Sequence, residues 1–193
     1  MKKGEKMKLI CFPYAGGSAM VYSKWQKLID SSIEIVPFEL PGRGTRFCED
    51  LCDDMDQLVE DIYYQLEDTF QSDDYMLYGH SMGSWIVYYL AIMISEKNIR
   101  FPSALFLSGK EAPHIFKLED ISYQMDDAEF INRIFSLGGT PKELVENAEL
   151  LDIYVPIIKN DYKLIETCRR EKCRYKFDCD ITVFNGVYDN LSR

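Results

Sequence analysis

The sequence predicts an α/β fold, a mostly parallel sheet with helices on both faces, and three observations carry that prediction. Short apolar runs bounded by glycine, proline or polar residues recur at 8–12, 33–40, 75–80, 104–109 and 181–186. Segments with apolar residues at helical spacing separate most of them, the alternation that parallel strands with crossover helices require. The third run ends in Gly79-His80-Ser81-Met82-Gly83 and passes directly into a helical pattern. Gly-x-Ser-x-Gly on a sharp strand-to-helix turn holds a serine at strained backbone angles with its hydroxyl standing clear of the sheet.

Taken in order, Lys8 to Phe12 reads as a buried strand, followed by the glycine-rich loop Pro13 to Ser18. Such a loop is either an ordinary strand-to-helix turn or a place where backbone N–H groups approach a ligand, as an oxyanion hole requires. Met20 to Asp30, with Trp25 and Leu28 on one face, predicts a first helix. Ile33 to Leu40 is the next strand, and its internal Pro37 assigns it to a sheet edge or a bulge. In the loop Pro41 to Arg46, Arg43 and Arg46 either touch a phosphate or, as arginines on polar loops usually do, meet solvent or a neighbouring carboxylate. Asp53 or Asp54 caps a helix whose stripe of Leu58, Val59, Ile62, Leu66 and Phe70 belongs to the core. The elbow helix continues through Trp85, Ile86, Tyr89, Leu90, Met93 and Ile94, and Gly79 and Gly83 suit the turn because side chains there would collide where helix folds against strand.

Between the strands at 104–109 and 181–186 lies a helical insertion, about residues 115–172. Asp126 to Phe135 is helical by pattern and Gly138-Gly139 breaks it. Thr140-Pro141-Lys142-Glu143 then offers a cap, a proline at the first helical position and a capping-box glutamate. The pattern runs on through Leu144, Leu151, Tyr154, Ile157, Ile158 and Ile165 toward Lys172, as more than one helix because of Pro156. A helical excursion above the carboxyl ends of a parallel sheet is where a lid would sit; the alternative is a layer that extends the core.

The chain has 193 residues, 47% hydrophobic and 28% charged, which is the balance of one globular domain over residues 1–193. Its net charge of −10 argues against a nucleic-acid partner, since phosphate binding draws on clustered Lys and Arg. The charged stretch Met1 to Lys8 is followed by only a short apolar run broken by Pro13, so it reads as the approach to a strand and not as a signal peptide. No run reaches the roughly 18 apolar residues of a membrane span, and a cytoplasmic location is expected. Cys11, Cys48, Cys52, Cys168, Cys173 and Cys179 form no Cys-x-x-Cys pair and no zinc spacing, so reduced thiols and no metal are expected, with Cys11 a small buried hydrophobe.

Five stretches together resemble the type II thioesterases that accompany nonribosomal peptide and polyketide synthases, a branch of the α/β-hydrolases. They are Leu-Ile-Cys-Phe-Pro-Tyr-Ala-Gly-Gly-Ser at 9–18, Glu-Leu-Pro-Gly-Arg-Gly-Thr-Arg at 39–46, Tyr-Gly-His-Ser-Met-Gly at 78–83, Leu-Phe-Leu-Ser-Gly-Lys-Glu-Ala-Pro-His at 105–114 and Val-Phe-Asn-Gly-Val-Tyr-Asp at 183–189. Lys110 stands where the family more often has arginine, and Ser84 where it usually has alanine. The resemblance implies Ser81 as nucleophile, the N–H groups of Ala15 and Met82 as oxyanion hole and Asp189 as the triad acid. It implies no cofactor of the enzyme's own. The substrate would ride on the phosphopantetheine arm of an acyl- or peptidyl-carrier protein, and the reaction would remove stalled or misprimed acyl groups.

In such enzymes the triad histidine follows the acid in the chain. Here only His80 and His114 occur: His80 adjoins Ser81 and is expected to point away from its hydroxyl, and His114 matches a position without a catalytic role. By the resemblance, about forty to fifty residues of the family's pattern, with the histidine, the last strand and the closing helix, lie beyond Arg193. Two expectations follow: near-inactivity of the 193-residue chain, and self-association or poor solubility through the strand at 181–184. An esterase acting on free small esters is the second reading, and a carrier-protein-binding relative without catalysis the third.

Overall fold

The computed structural model describes residues 6–72, 74–112, 122–136, 147–168 and 175–188. Strands β1 (Met7–Phe12), β2 (Ile33–Pro37), β3 (Tyr75–His80), β4 (Ala104–Ser108) and β5 (Asp180–Phe184) pair in parallel in the spatial order β2-β1-β3-β4-β5. The chain steps outward from β1 to β2 and then crosses to β3 on the other side. The loops leaving β1 and β3 therefore diverge at a topological switch point, the place where open parallel sheets hold their ligands.

Helices α1 (Met55–Ser72) and α2 (Met82–Glu96) cover one face of the sheet. Leu58, Val59, Ile62, Leu66 and Phe70 of α1 are buried there with Ile10, Leu77, Ile86 and Leu90, so the predicted stripe is core. Asp54 is the residue that caps α1, its Oδ1 accepting from the Gln57 N–H at 2.8 Å. On the second face, Leu9 and Cys11 pack with Tyr22, Trp25, Met76, Tyr78 and Phe106. That layer is built by two 3₁₀ helices, Ala19–Tyr22 and Trp25–Lys27, and not by the single helix predicted over 20–30. Leu28 is 81% exposed and shares no face with Trp25. Trp25 is drawn inward by edge contacts with Tyr22 and Tyr78, while the Gln26 carboxamide turns to the backbone of β2.

Among the described strands β2 is an outer one, the first of the two places, edge or bulge, to which Pro37 assigns it. Its free edge is partly answered by Gln26, which donates to the Ile33 carbonyl at 3.0 Å and accepts from the Ile35 N–H at 2.9 Å. At the other end of the described sheet every residue of β5 is exposed, including Ile181, Val183 and Phe184.

In the insertion, α3 (Asp127–Ser136) and α4 (Ala148–Thr167) share a small core of Phe130, Val155 and Ile158. The break at Gly138-Gly139 and the helix start at 140–143 lie outside the described residues. Pro156 does not divide α4, contrary to expectation. A proline inside a helix costs about 3 kcal/mol through its lost N–H and ring clash. Its neighbours Val155, Ile157 and Ile158 are buried, and at roughly 1.5–3 kcal/mol for each buried aliphatic side chain that burial outweighs the break. The carboxyl half of α4 joins the main core through Leu164 and Ile165. Among the described residues no helix is long and apolar enough to cross a membrane.

Candidate active site

Ser81 stands at φ 52° and ψ −114°, between β3 and the first turn of α2. Left-handed φ is costly for a residue with a Cβ and persists only where the surroundings over-determine it. Here they do. The Ser81 N–H donates to the Ser108 carbonyl at 2.8 Å, and the Ser81 carbonyl accepts from the Ser84 N–H at 2.9 Å. A Cβ on Gly79 would overlap the Gly83 carbonyl, and one on Gly83 would overlap the carbonyl of Phe12, so both glycines are steric requirements of the elbow. The second overlap also places the start of α2 directly against the end of β1.

Ser84, one turn into α2, fastens the elbow from below. Its buried hydroxyl accepts from the Ser108 N–H at 3.0 Å and lies 2.9 Å from the carbonyls of both Gly79 and Ser108, to either of which its proton can be given. Met82 is fully buried as the first residue of α2, where backbone N–H groups have no intrahelical acceptor and the helix dipole favours negative charge.

The loop after β1 turns sharply beside this helix. The Gly17 N–H donates to the Tyr14 carbonyl at 2.8 Å, and Gly16 has φ +75°, the positive value a type II turn needs at its third position. A Cβ on Gly16 would come within 2.7 Å of Ile158 on α4, so the insertion lies over the loop. Asp161, also on α4 and 0% exposed, accepts from the Gly16 N–H at 2.7 Å. Its two oxygens take a bidentate pair from Arg43, at 2.6 and 2.7 Å, and Arg43 itself is 5% exposed. Arg46 meets Glu49 and Asp61. Both loop arginines thus meet carboxylates, and the hydrogen bonds to Glu49 and Asp61 hold the Arg46 guanidinium more firmly protonated than usual.

His80 sits at the end of β3 with Nδ1 3.1 Å from the Ser108 hydroxyl, Gly109 against its ring and Tyr14 edge-on at 6.0 Å. It lines a cavity of about 490 Å³ with Ser108, Gly109, Val183, Phe184, Asn185 and Gly186, at the carboxyl ends of β3, β4 and β5. Ser81, Met82 and Ala15 are therefore positioned by adjoining elements, whereas Asp189, His114 and Cys173 lie outside the described residues. Burial pushes the Cys11 thiol up to about 12 and the Cys52 thiol to about 11, so neither is a nucleophile at neutral pH.

Sequence reasoning missed Asp161. The signal was available: Ile157, Ile158, Leu164 and Ile165 recur at helical spacing, and Asp161 falls in the middle of their stripe. A carboxylate on an apolar face needs a buried cation, and Arg43 is that cation.

A family model described as the thioesterase domain matches residues 7–192. The chain belongs to the thioesterase domain family. Over 186 residues it is 34% identical to the medium-chain S-acyl fatty acid synthase thioesterase of Anas platyrhynchos, covering 93% of this chain and 72% of that protein. Among solved structures it is similar to ClbQ of the colibactin NRPS/PKS pathway, with a TM-score of 0.91 and 38% identity over 97% of this chain and 79% of that one. The type II thioesterase BorB of the borrelidin biosynthetic cluster superposes with a TM-score of 0.84 at 28% identity, covering 97% and 76%. The α/β-hydrolase architecture expected of this thioesterase is the one its neighbours share.

Proposed function

We propose that this thioesterase removes acyl groups from the phosphopantetheine thiol of carrier proteins in nonribosomal peptide or polyketide biosynthesis, with Ser81 as nucleophile. The observation that carries the reading is the left-handed Ser81 at the β3–α2 elbow, with the N-terminus of α2 and the β1 loop adjoining it. The Ser81 oxygen attacks the thioester carbonyl carbon, and the carbonyl electron pair moves onto oxygen, facing the N–H groups of Ala15 and Met82. Collapse breaks the carbon–sulfur bond; the proton lost by the serine leaves with the thiol, and an acyl-serine ester remains. Water then attacks that ester, releasing a carboxylic acid and restoring the serine. The chain supplies positioning and the oxyanion donors; it needs no cofactor for either step.

Both steps move a proton, and Asp189 is the carboxylate we assign to orienting a base. As a 193-residue polypeptide whose histidines are His80 and His114, the chain is expected to turn over on the order of 10⁴–10⁶-fold more slowly than an enzyme with a complete triad. Incubation with an acylated carrier protein, read by intact mass, tests the assignment. An acyl adduct that disappears in Ser81→Ala supports it, and an equal adduct or equal hydrolysis in that variant overturns it. Medium-chain acyl groups are the first to try, given the similarity to the Anas platyrhynchos thioesterase. A free ester of the same acid distinguishes carrier specificity from general esterase action.

A further inference from the structure

We infer that Arg43 and Asp161 are positioning residues for the oxyanion loop, a buried ion pair through which α4 holds the Ala15 N–H in its working direction. The inference rests on the reading of Ala15 as an oxyanion donor. The pair grips the loop twice, once by a donor and once by an acceptor. Asp161 accepts from the Gly16 N–H at 2.7 Å, and Arg43, bound to both Asp161 oxygens, also donates from Nη1 to the Gly17 carbonyl at 3.3 Å. These bonds fix the Ala15–Gly16 and the Gly17–Ser18 peptide planes. The preceding plane, Tyr14 to Ala15, is fixed by the Gly17 N–H on the Tyr14 carbonyl at 2.8 Å. A trans peptide is planar, with N–H and C=O on opposite sides. With the Tyr14 carbonyl held inside the turn, the Ala15 N–H is directed out of it. Among the described residues, that N–H and the Met82 N–H make no hydrogen bond.

A buried ion pair is often no more stabilising than an apolar replacement of the same volume, so net stability is a weak explanation for this one. Direction is what a pair with these four hydrogen bonds supplies and an apolar contact does not. Oxyanion donors depend on direction: losing one costs about 10²–10³ in rate, and misplacing a group by about 1 Å costs on the order of 10². The contact joins residues 118 positions apart, so the helix that covers the loop also sets it.

The test measures acylation of Ser81 by an octanoyl thioester of N-acetylcysteamine, with imidazole supplied equally to all variants, alongside stability and amide exchange at Gly16. Asp161→Asn keeps the size but offers one acceptor oxygen to three donors, and its NH₂ opposes one of them. We expect a folded variant that acylates about 10–100-fold more slowly and whose Gly16 amide loses protection. Arg43→Lys keeps the charge without the fork and serves where the asparagine variant does not fold; it is expected to slow acylation about tenfold. The exchange Arg43→Asp with Asp161→Arg restores opposite charges but sets a donor against the Gly16 N–H, so stability returns while acylation stays slow. Asp53→Ala, which cuts the exposed Lys163–Asp53 pair of the same helix, should leave the rate within about twofold. Wild-type acylation rates in folded Asp161→Asn or Arg43→Lys, or full recovery in the exchange variant, overturn the inference alone. Absence of acyl-Ser81 in the wild type overturns the reading of the site, and this inference with it.

Discussion

At the β2 end of the sheet, Gln26 answers the outer backbone, and the loops after β1 and β2 are tied to α4 by the Arg43–Asp161 pair and by Asn160, which donates to the Cys52 carbonyl at 3.0 Å. At the β5 end every residue of the strand is exposed, and the cavity beside His80 opens there. The difference divides the proposed site in two. The proposed nucleophile, Ser81, and the proposed oxyanion donors, Ala15 and Met82, stand in the half whose geometry is fixed by buried polar contacts. The half next to β5 is bordered by exposed apolar surface among the described residues.

Variants should reveal that asymmetry. Arg43→Ala leaves a fully buried carboxylate without its cation and is expected to lower stability by about 3–5 kcal/mol in urea unfolding; a loss below about 1 kcal/mol would mean the pair does not anchor that half. Gly83→Ala forces a methyl group against the Phe12 carbonyl and should cost about 1–3 kcal/mol and abolish acylation of Ser81. Gln26→Ala removes two hydrogen bonds from the β2 edge, for a loss of about 1 kcal/mol, measured the same way.

Val183→Lys on β5 should change stability by no more than about 0.5 kcal/mol, measured the same way. A large destabilisation there would show that β5 is packed as firmly as β2. Thiol labelling sharpens the contrast between surface and core: at pH 8 the exposed Cys48 should alkylate well before Cys11 and Cys52. The sign of the pH effect follows from the raised folded-state values of those two thiols. Their burial as neutral groups contributes fully below the ordinary thiol range, and the contribution is lost as pH climbs toward about 11 for Cys52 and about 12 for Cys11.

Much of this was legible in the sequence because it is local. The elbow, the α1 stripe and the edge position of β2 each follow from residues within one turn or one strand: Gly79, Ser81 and Gly83; Leu58 to Phe70; Pro37. The exceptions are long-range or competitive. Met20 to Asp30 has a helical spacing of apolar residues, but Gln26 is better used on β2 and Trp25 on the aromatic cluster, so two short 3₁₀ helices replace one α-helix. Pro156 reads as a break, and burial of its neighbours overrides it. The loop of Arg43 gives no hint that its partner lies on the insertion, and only the apolar surroundings of Asp161 announce that a cation must come to it.

The central proposal is that Ser81 is the nucleophile, faced by the Ala15 and Met82 N–H groups, and that its acylation needs a base to take the hydroxyl proton. Chemical rescue tests it most directly: the rate of Ser81 acylation by an octanoyl thioester, followed by intact mass as imidazole is raised. The account predicts a rate that climbs with imidazole in the wild type and no adduct at any concentration in Ser81→Ala. A rate that ignores imidazole, or an adduct that survives Ser81→Ala, would contradict it.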